Sequence, residues 1–333
     1  MSPSIVFVPG VPGGTAQYRC YVPGRALERA GWDVRFVEDS EELTRLPECD
    51  VLVVSRGRSL ELPHLFRLFR ARGTACVYDI DDLVHEIPTY NPAAHEDYSA
   101  VIPAMREADL ITCSTPGLAR YYGEHGRIAV LPNLLDPELW EDVERYRVPH
   151  DSVRVGWMAF WQWRGGDVEV LRPWLADWLR AHPEVEFVAL GCPEIAAELD
   201  ITVLSPRPDE ETVGSARPWQ HVPAMCALLD VGLAPLARNR FNWQAKSACK
   251  ALEYTAAGVP VVASPSEAYR DFIRPGVNGY LAKRDWWAVM DRTLDGLDVL
   301  REGARKVAAE YVIDDHVDKW TTAYEEARAC RSL

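Results

Sequence analysis

Lysine is almost missing from this chain. Only five of its 36 basic residues are lysine, and none precedes Lys246. Arginine supplies nearly all the fixed positive charge, so chance within an arginine-biased composition is the plain account of a lysine at 246 and another at 250. The sharper account is a local need for a compact ammonium on a flexible stem, which follows a phosphate without fork geometry. Positive charge is short overall. The net charge of −14 excludes a non-specific nucleic-acid binder, though not a local basic groove. No apolar run approaches the roughly 20 residues of a membrane helix. The opening "MSPSIVFVPG" has no basic n-region and runs straight into a strand-like segment, so no signal peptide is expected. The eight cysteines form neither a C-x-x-C pair nor a Cys/His cluster. Cys76 and Cys113 sit in apolar runs and read as buried free thiols, which fits a reducing, cytoplasmic setting.

What is present reads as an ordinary globular chain of 333 residues, long enough for two domains. Short β-branched runs alternate with helical patterns. "IVFVPG", "DVRFVE", "DVLVVS", "ACVYDID", "LITCS" and "IAVLPN" are strand candidates in the first half. After the polar, Pro-bearing "DVERYRVPHDS" the alternation restarts with "VRVGWM", "EFVALG", "ITVLS", "VGLAPL", "VPVVAS" and "NGYLA". This predicts an α/β fold of two Rossmann-like, doubly wound domains, residues 1–148 and 149–314, facing across a cleft. From 315 to 333, Val317, Trp320, Tyr324 and Ala327 share one helical face, a stripe suited to returning across the first lobe. "RGRSLELPHLFRLFRARG" concentrates Arg56, Arg58, Arg67, Arg70 and Arg72. It reads as the solvated face of an amphipathic helix, with a patch for an anionic acceptor or a membrane surface as the alternative.

Ligands of such folds sit at the carboxyl ends of the strands, so the residues there matter most. Gly10, Gly13 and Gly14 follow the first strand and lead into a helix, but not at dinucleotide-fingerprint spacing. "YDIDDL" ends the fourth strand with Asp79, Asp81 and Asp82. These carboxylates suit a D-x-D metal site, a group acting on an acceptor hydroxyl, or a helix cap. Asn133 and Asp136 precede the domain link, as caps or as a latch between lobes. In "KSACKALEYTAAGVPVVASP", Gly258 ends a helix and Pro260 opens a strand. Glu253 there stands in an apolar segment and needs a partner, either Lys246 or Lys250 on its own helix or the vicinal hydroxyls of a sugar.

The stretch "FNWQAKSACKALEYTAAGVPVVASPSEAYRDFIRPGVNGYLA" resembles the donor-binding segment of retaining GT-B glycosyltransferases of the bacterial polysaccharide type. "VYDIDDL", "ADLITCSTPGLARYY", "VLPNLLDPELW" and "VRVGWMAFWQWRGGDVEVL" agree in order along the chain. The resemblance implies transfer, with retention, of a sugar from a nucleoside diphosphate sugar to a saccharide or lipid-linked acceptor. A modified base in phage-type DNA is a less favoured acceptor, and a catalytically degenerate nucleotide-sugar binder is the alternative from another class. Glu253 would hold the ribose hydroxyls, with Lys246 and Ser247 at the diphosphate or donor sugar. Gly13, Gly14 and Arg164 would lie near the phosphates, and Gly191 and Trp219 would border the base. Asp81 or Asp82 would stand on the acceptor side as catalytic groups beside Lys246. No obligatory metal is implied, because helix N-termini and cations stabilise the leaving diphosphate. Two departures stand out. Ala245 occupies the place of the usual glutamate eight residues before Glu253, and "WQWRGG" replaces a small-polar-His stretch.

Overall fold

The computed structural model describes residues 2–38, 48–206 and 218–330. Its first sheet contains β1 (Ser4–Pro9), β2 (Asp33–Phe36), β3 (Val51–Ser55), β4 (Ala75–Ile80), β5 (Leu110–Cys113) and β6 (Ile128–Val130). The spatial order is β2-β1-β3-β4-β5-β6, and every pairing is parallel. A second sheet takes β7 (Val153–Met158), β8 (Val185–Leu190), β9 (Val231–Ala234), β10 (Val261–Ala263) and β11 (Gly279–Leu281) in the order β11-β10-β9-β7-β8, again all parallel. Helices cover both faces of each sheet, so β3, β4, β9 and β10 are buried along their whole length and read as unbroken apolar runs rather than alternations.

One strand candidate differs from the sequence reading. "ITVLS" forms no extended strand. It runs beside β8 through a single bridge, Val188 to Leu204, and Pro206 then removes the next donor. The segment after Arg164 forms two short helices, Val168–Leu171 and Leu175–Ala181, because Pro173 lacks the N–H that a continuous helix needs.

The last helix, Val317–Ala329, buries Trp320, Ala323, Tyr324 and Ala327 against Ile5, Phe7, Leu27 and Trp32 of the first lobe. Tyr324 meets Phe7 and Trp32 edge-on at 6.3 and 6.4 Å. The chain thus ends on the lobe it began. The two lobes also share apolar contact elsewhere: Phe241 and Ala245, from the second half, pack into the core of the first lobe. Gly117 permits this. A Cβ there would sit 1.6 Å from the Gln244 carbonyl oxygen. The arginine-rich stretch forms the helix Leu62–Ala71, which buries Leu62, Phe66 and Phe69. Three of its arginines are paired locally: Arg58 with Glu96, Arg67 with Glu107, and Arg70 with Glu107 and Asp109.

Candidate functional site

The carboxyl ends of both sheets open on one cavity of about 310 Å³ between the lobes. On the first-lobe side, Gly13 has φ of +83°, a conformation that disfavours a side chain, and nothing stands within 4 Å of where its Cβ or that of Gly14 would lie. The backbone is therefore open to the cavity at the start of a helical segment. One turn on, the Tyr18 hydroxyl donates to Glu253 Oε1 at 3.0 Å across the cleft. Thr15 donates to Asp81 Oδ2 at 2.9 Å.

The three carboxylates of "YDIDDL" have different fates. Asp79 lies inside β4, buried. It is held by Arg19 at 2.6 Å and accepts from the Ser55 and Thr112 hydroxyls at 3.0 and 2.7 Å. It is a structural ion pair that leaves no lone pair for a D-x-D metal. Asp81 and Asp82 follow the strand and line the cavity. Arg56, itself left-handed at φ 52°, reaches both of them at 3.4 and 3.3 Å. Burial raises Asp81 above the usual carboxylate range despite Arg56, and the neighbouring Asp82 charge adds to the rise. Asp82 is also buried, but Lys246 and Arg56 outweigh that and hold it below its ordinary value. Among the described residues, no group of three or more His, Cys, Asp or Glu side chains is placed to hold a metal ion.

The second lobe supplies the cations. Arg164 follows β7 and is oriented by the buried Asp167 at 3.3 Å. Asp167 in turn accepts from the Ala237 N–H at 2.6 Å, which fixes the pair to the loop after β9. Lys246 follows the π-helical turn Phe241–Ala245 in extended backbone. Its ammonium bridges the lobes to Asp82 at 2.6 Å and lies over the Phe241 ring at 4.7 Å. Burial lowers Lys246 from the usual lysine value although Asp82 opposes it. The helix Cys249–Ala256 carries Lys250 and Glu253 one turn apart, both facing the cavity. Burial pushes the Glu253 carboxyl up to about 6, against the pull of Lys250 and Tyr18. Burial and Arg164 bring Lys250 down to about 8.

Gly191 follows β8 with φ of +77°, and a Cβ there would meet the Ala159 carbonyl oxygen at 2.8 Å. Trp219 stacks on Tyr21 of the first lobe, with centroids 5.7 Å apart and planes 19° apart. Both residues line the same cavity, as do Gly13, Gly14, Asp81, Asp82, Arg164, Lys246, Ser247 and Glu253. The ten residues that the resemblance implies for the site thus line one cavity, whereas Gly10, Asp79 and Asp136 do not. The ion pair between Lys246 and Glu253 on one helix is not formed, because Lys246 turns to Asp82 and Glu253 to Tyr18. Asn133 latches the lobes, accepting from Arg19 at 3.0 Å and donating to Ser247 at 3.2 Å. Ala245 faces the first lobe, and its carbonyl accepts from Thr115 at 2.9 Å. Sequence reasoning missed Tyr18 and Arg56 as members of the site. Tyr18 acts on a residue 235 positions away, and only the local chain reversal marks Arg56.

Residues 167–298 match the family model described as "Glycosyl transferases group 1". No curated protein matches the chain. Among solved structures, sucrose-phosphate synthase from Thermosynechococcus elongatus is similar at a TM-score of 0.69 and 13% identity, over 98% of this chain and 100% of that one. Anabaena HepE, crystallised in complex with UDP-glucose, is similar at 0.65 and 15%, over 96% and 99%. The catalytic domain of Arabidopsis thaliana starch synthase IV, bound to ADP and acarbose, is similar at 0.66 and 9%, over 99% and 100%. With the two facing parallel sheets and the returning terminal helix, these findings give the chain the two-lobed GT-B fold, and residues 167–298 of its second half match the group 1 glycosyltransferase model.

Proposed function

We propose that this protein transfers a sugar, with retention, from a nucleoside diphosphate sugar to an acceptor hydroxyl, and that the acceptor is a saccharide or a lipid-linked glycan. Residues 149–314 form the donor-binding half and residues 1–148 the acceptor half. The observation that carries the reading is one cavity in which Arg164, Lys246 and Lys250 converge from separate segments beside a carboxylate, Glu253. Three cations suit a diphosphate, and a carboxylate that can accept two hydrogen bonds suits a ribose diol. The buried free thiols support a reducing cytoplasm, and among the described residues no helix is long and apolar enough to cross a membrane.

On this reading Glu253 exchanges its Tyr18 hydrogen bond for the ribose hydroxyls. Lys246 leaves Asp82 for the diphosphate, and with Arg164 it stabilises the charge that grows as the bond from anomeric carbon to phosphate oxygen breaks. The acceptor oxygen bonds to the same face of that carbon. Its proton passes to the departing phosphate oxygen, so no external base is required. Asp82, released by Lys246, orients the acceptor hydroxyl beside Asp81. The cations do the work of a metal, so none is obligatory.

The test is mass spectrometry of products after incubation with a panel of nucleotide sugars, with and without saccharide acceptors. The expected result is release of one nucleoside diphosphate, stimulated by acceptor and undiminished by EDTA. Binding without turnover across the panel would leave a nucleotide-sugar-binding protein instead. Activity lost in EDTA and restored only by Mn²⁺ or Mg²⁺ would refute the metal-free mechanism.

A further inference from the structure

The segment that follows Asp82 crosses from the first lobe to the second at two points. Glu86 pairs with Arg240 at 2.7 Å. Tyr90 reaches further in. Its ring covers Gly166, where a Cβ would lie 2.5 Å from the nearest ring carbon. Its hydroxyl accepts from the side-chain amide of Asn242 at 3.1 Å and from that of Asn239 at 3.5 Å. Asn242, in the turn Phe241–Ala245, is wholly buried. Its amide nitrogen carries two hydrogens and has three acceptors in reach: Tyr90 Oη, Asp167 Oδ1 at 3.3 Å and the Ala237 carbonyl at 3.1 Å. Its amide oxygen accepts from Arg164 at 3.5 Å, and Asp167 Oδ2 accepts from the same guanidinium nitrogen at 3.3 Å. Two buried side chains therefore aim Arg164, and the tyrosine of the opposite lobe fixes how one of them is turned.

We propose that Tyr90 is a positioning residue of the cavity: a first-lobe side chain sets the direction of the second-lobe cation Arg164 through Asn242 and Asp167. The proposal rests on the donor-site reading of Arg164 given above and adds to it a dependence on the opposite lobe. Without the Tyr90 hydroxyl, the Asn242 amide is free to turn toward its remaining acceptors, and its oxygen leaves Arg164. Without the ring, the turn at Gly166 opens to water, which competes for Asp167. A guanidinium presents its donors in a rigid fork, so a change of angle loses contacts with an oxyanion that a flexible ammonium would keep. Tyr90 is 38% exposed, so its truncation leaves the buried cores intact.

The experiment is isothermal titration calorimetry of the full chain with UDP, GDP and ADP, continued with whichever binds wild type most tightly. Tyr90→Ala should weaken that binding about tenfold and Tyr90→Phe about threefold, the scale of one or two hydrogen bonds, with melting temperatures close to wild type. Gly166→Ala pushes the ring aside from the other lobe. It should weaken binding about as much as Tyr90→Ala, and should cost nothing more when combined with it. In an Arg164→Gln background, Tyr90→Ala should have no further effect, because the group it aims is gone. A merely structural role would instead give additive losses. Additivity in that background would overturn the proposal, and so would wild-type affinity in Tyr90→Ala. If Arg164→Gln alone binds as tightly as wild type, or wild type binds none of the three diphosphates, the donor-site reading itself fails. Neither of those outcomes involves Tyr90, so they are distinct from failure of the positioning role.

Discussion

Glu253 is held where its charge is disfavoured. Its folded-state value, about 6, lies above the ordinary 4.5, so the native state binds its proton more readily than the unfolded chain does. Stability from that proton is complete below about 4.5 and is lost as the pH rises through 6. Glu253→Gln, always neutral and still able to accept from Tyr18, should melt higher than wild type above this window. The two curves should converge below it. Melting temperatures across the range decide the matter, and a mutant that melts lower at neutral pH would mean that Lys250 overcompensates the burial. Lys246 offers the complementary test. Charge on a departing diphosphate is greatest in the transition state, so Lys246→Ala should lower kcat by about 100-fold or more, and Lys246→Arg should recover it only in part. Wild-type kcat in the alanine variant would reduce Lys246 to a latch for Asp82.

Between elements, the helix Pro116–Tyr122 and the turn Phe241–Ala245 approach so closely that Gly117 leaves no room for a Cβ. Ala245 contributes a carbonyl to Thr115 there and a small side chain to the first-lobe core. This gives Ala245 a packing role at the position where the resembling pattern has glutamate. Gly117→Ala forces its Cβ against backbone at Gln244, which cannot swing away as a side chain would. Overpacking of this kind costs about 1–3 kcal/mol. The lobes should part at this edge, so denaturant melts should show that loss together with weaker nucleotide binding. A variant as stable and as tight as wild type would show that the turn yields freely. The strands that frame these contacts were legible in the sequence because buried parallel strands are short apolar runs between turn residues. The two π-helical turns, Gln17–Tyr21 and Phe241–Ala245, were not, since their periodicity hardly differs from that of an α-helix over five residues. The cavity-lining glycines, Lys246 and Glu253 could be found because each breaks a local pattern. Their partners could not, because Tyr18 to Glu253 and Asp82 to Lys246 are closures across the whole chain.

At the scale of the molecule, the chain closes on itself twice: once where its last helix seals the first lobe, once where side chains meet across the cleft. The first closure predicts a large effect far from any chemistry. Trp320 is almost wholly buried, and Trp320→Ala should cost about 3–5 kcal/mol in unfolding experiments. A loss under about 1 kcal/mol would mean that the helix only rests on the lobe. The distribution of lysine has a practical corollary. Lys283, Lys306 and Lys319 are exposed, while Lys246 and Lys250 are the two that line the cleft. Isotope-labelled methyl groups attached to the lysines would give five side-chain resonances, three from the surface and two from inside the cavity. In a chain of this size that is a sparse spectrum, in which the interior pair can be followed one signal at a time while the surface trio serves as an internal reference.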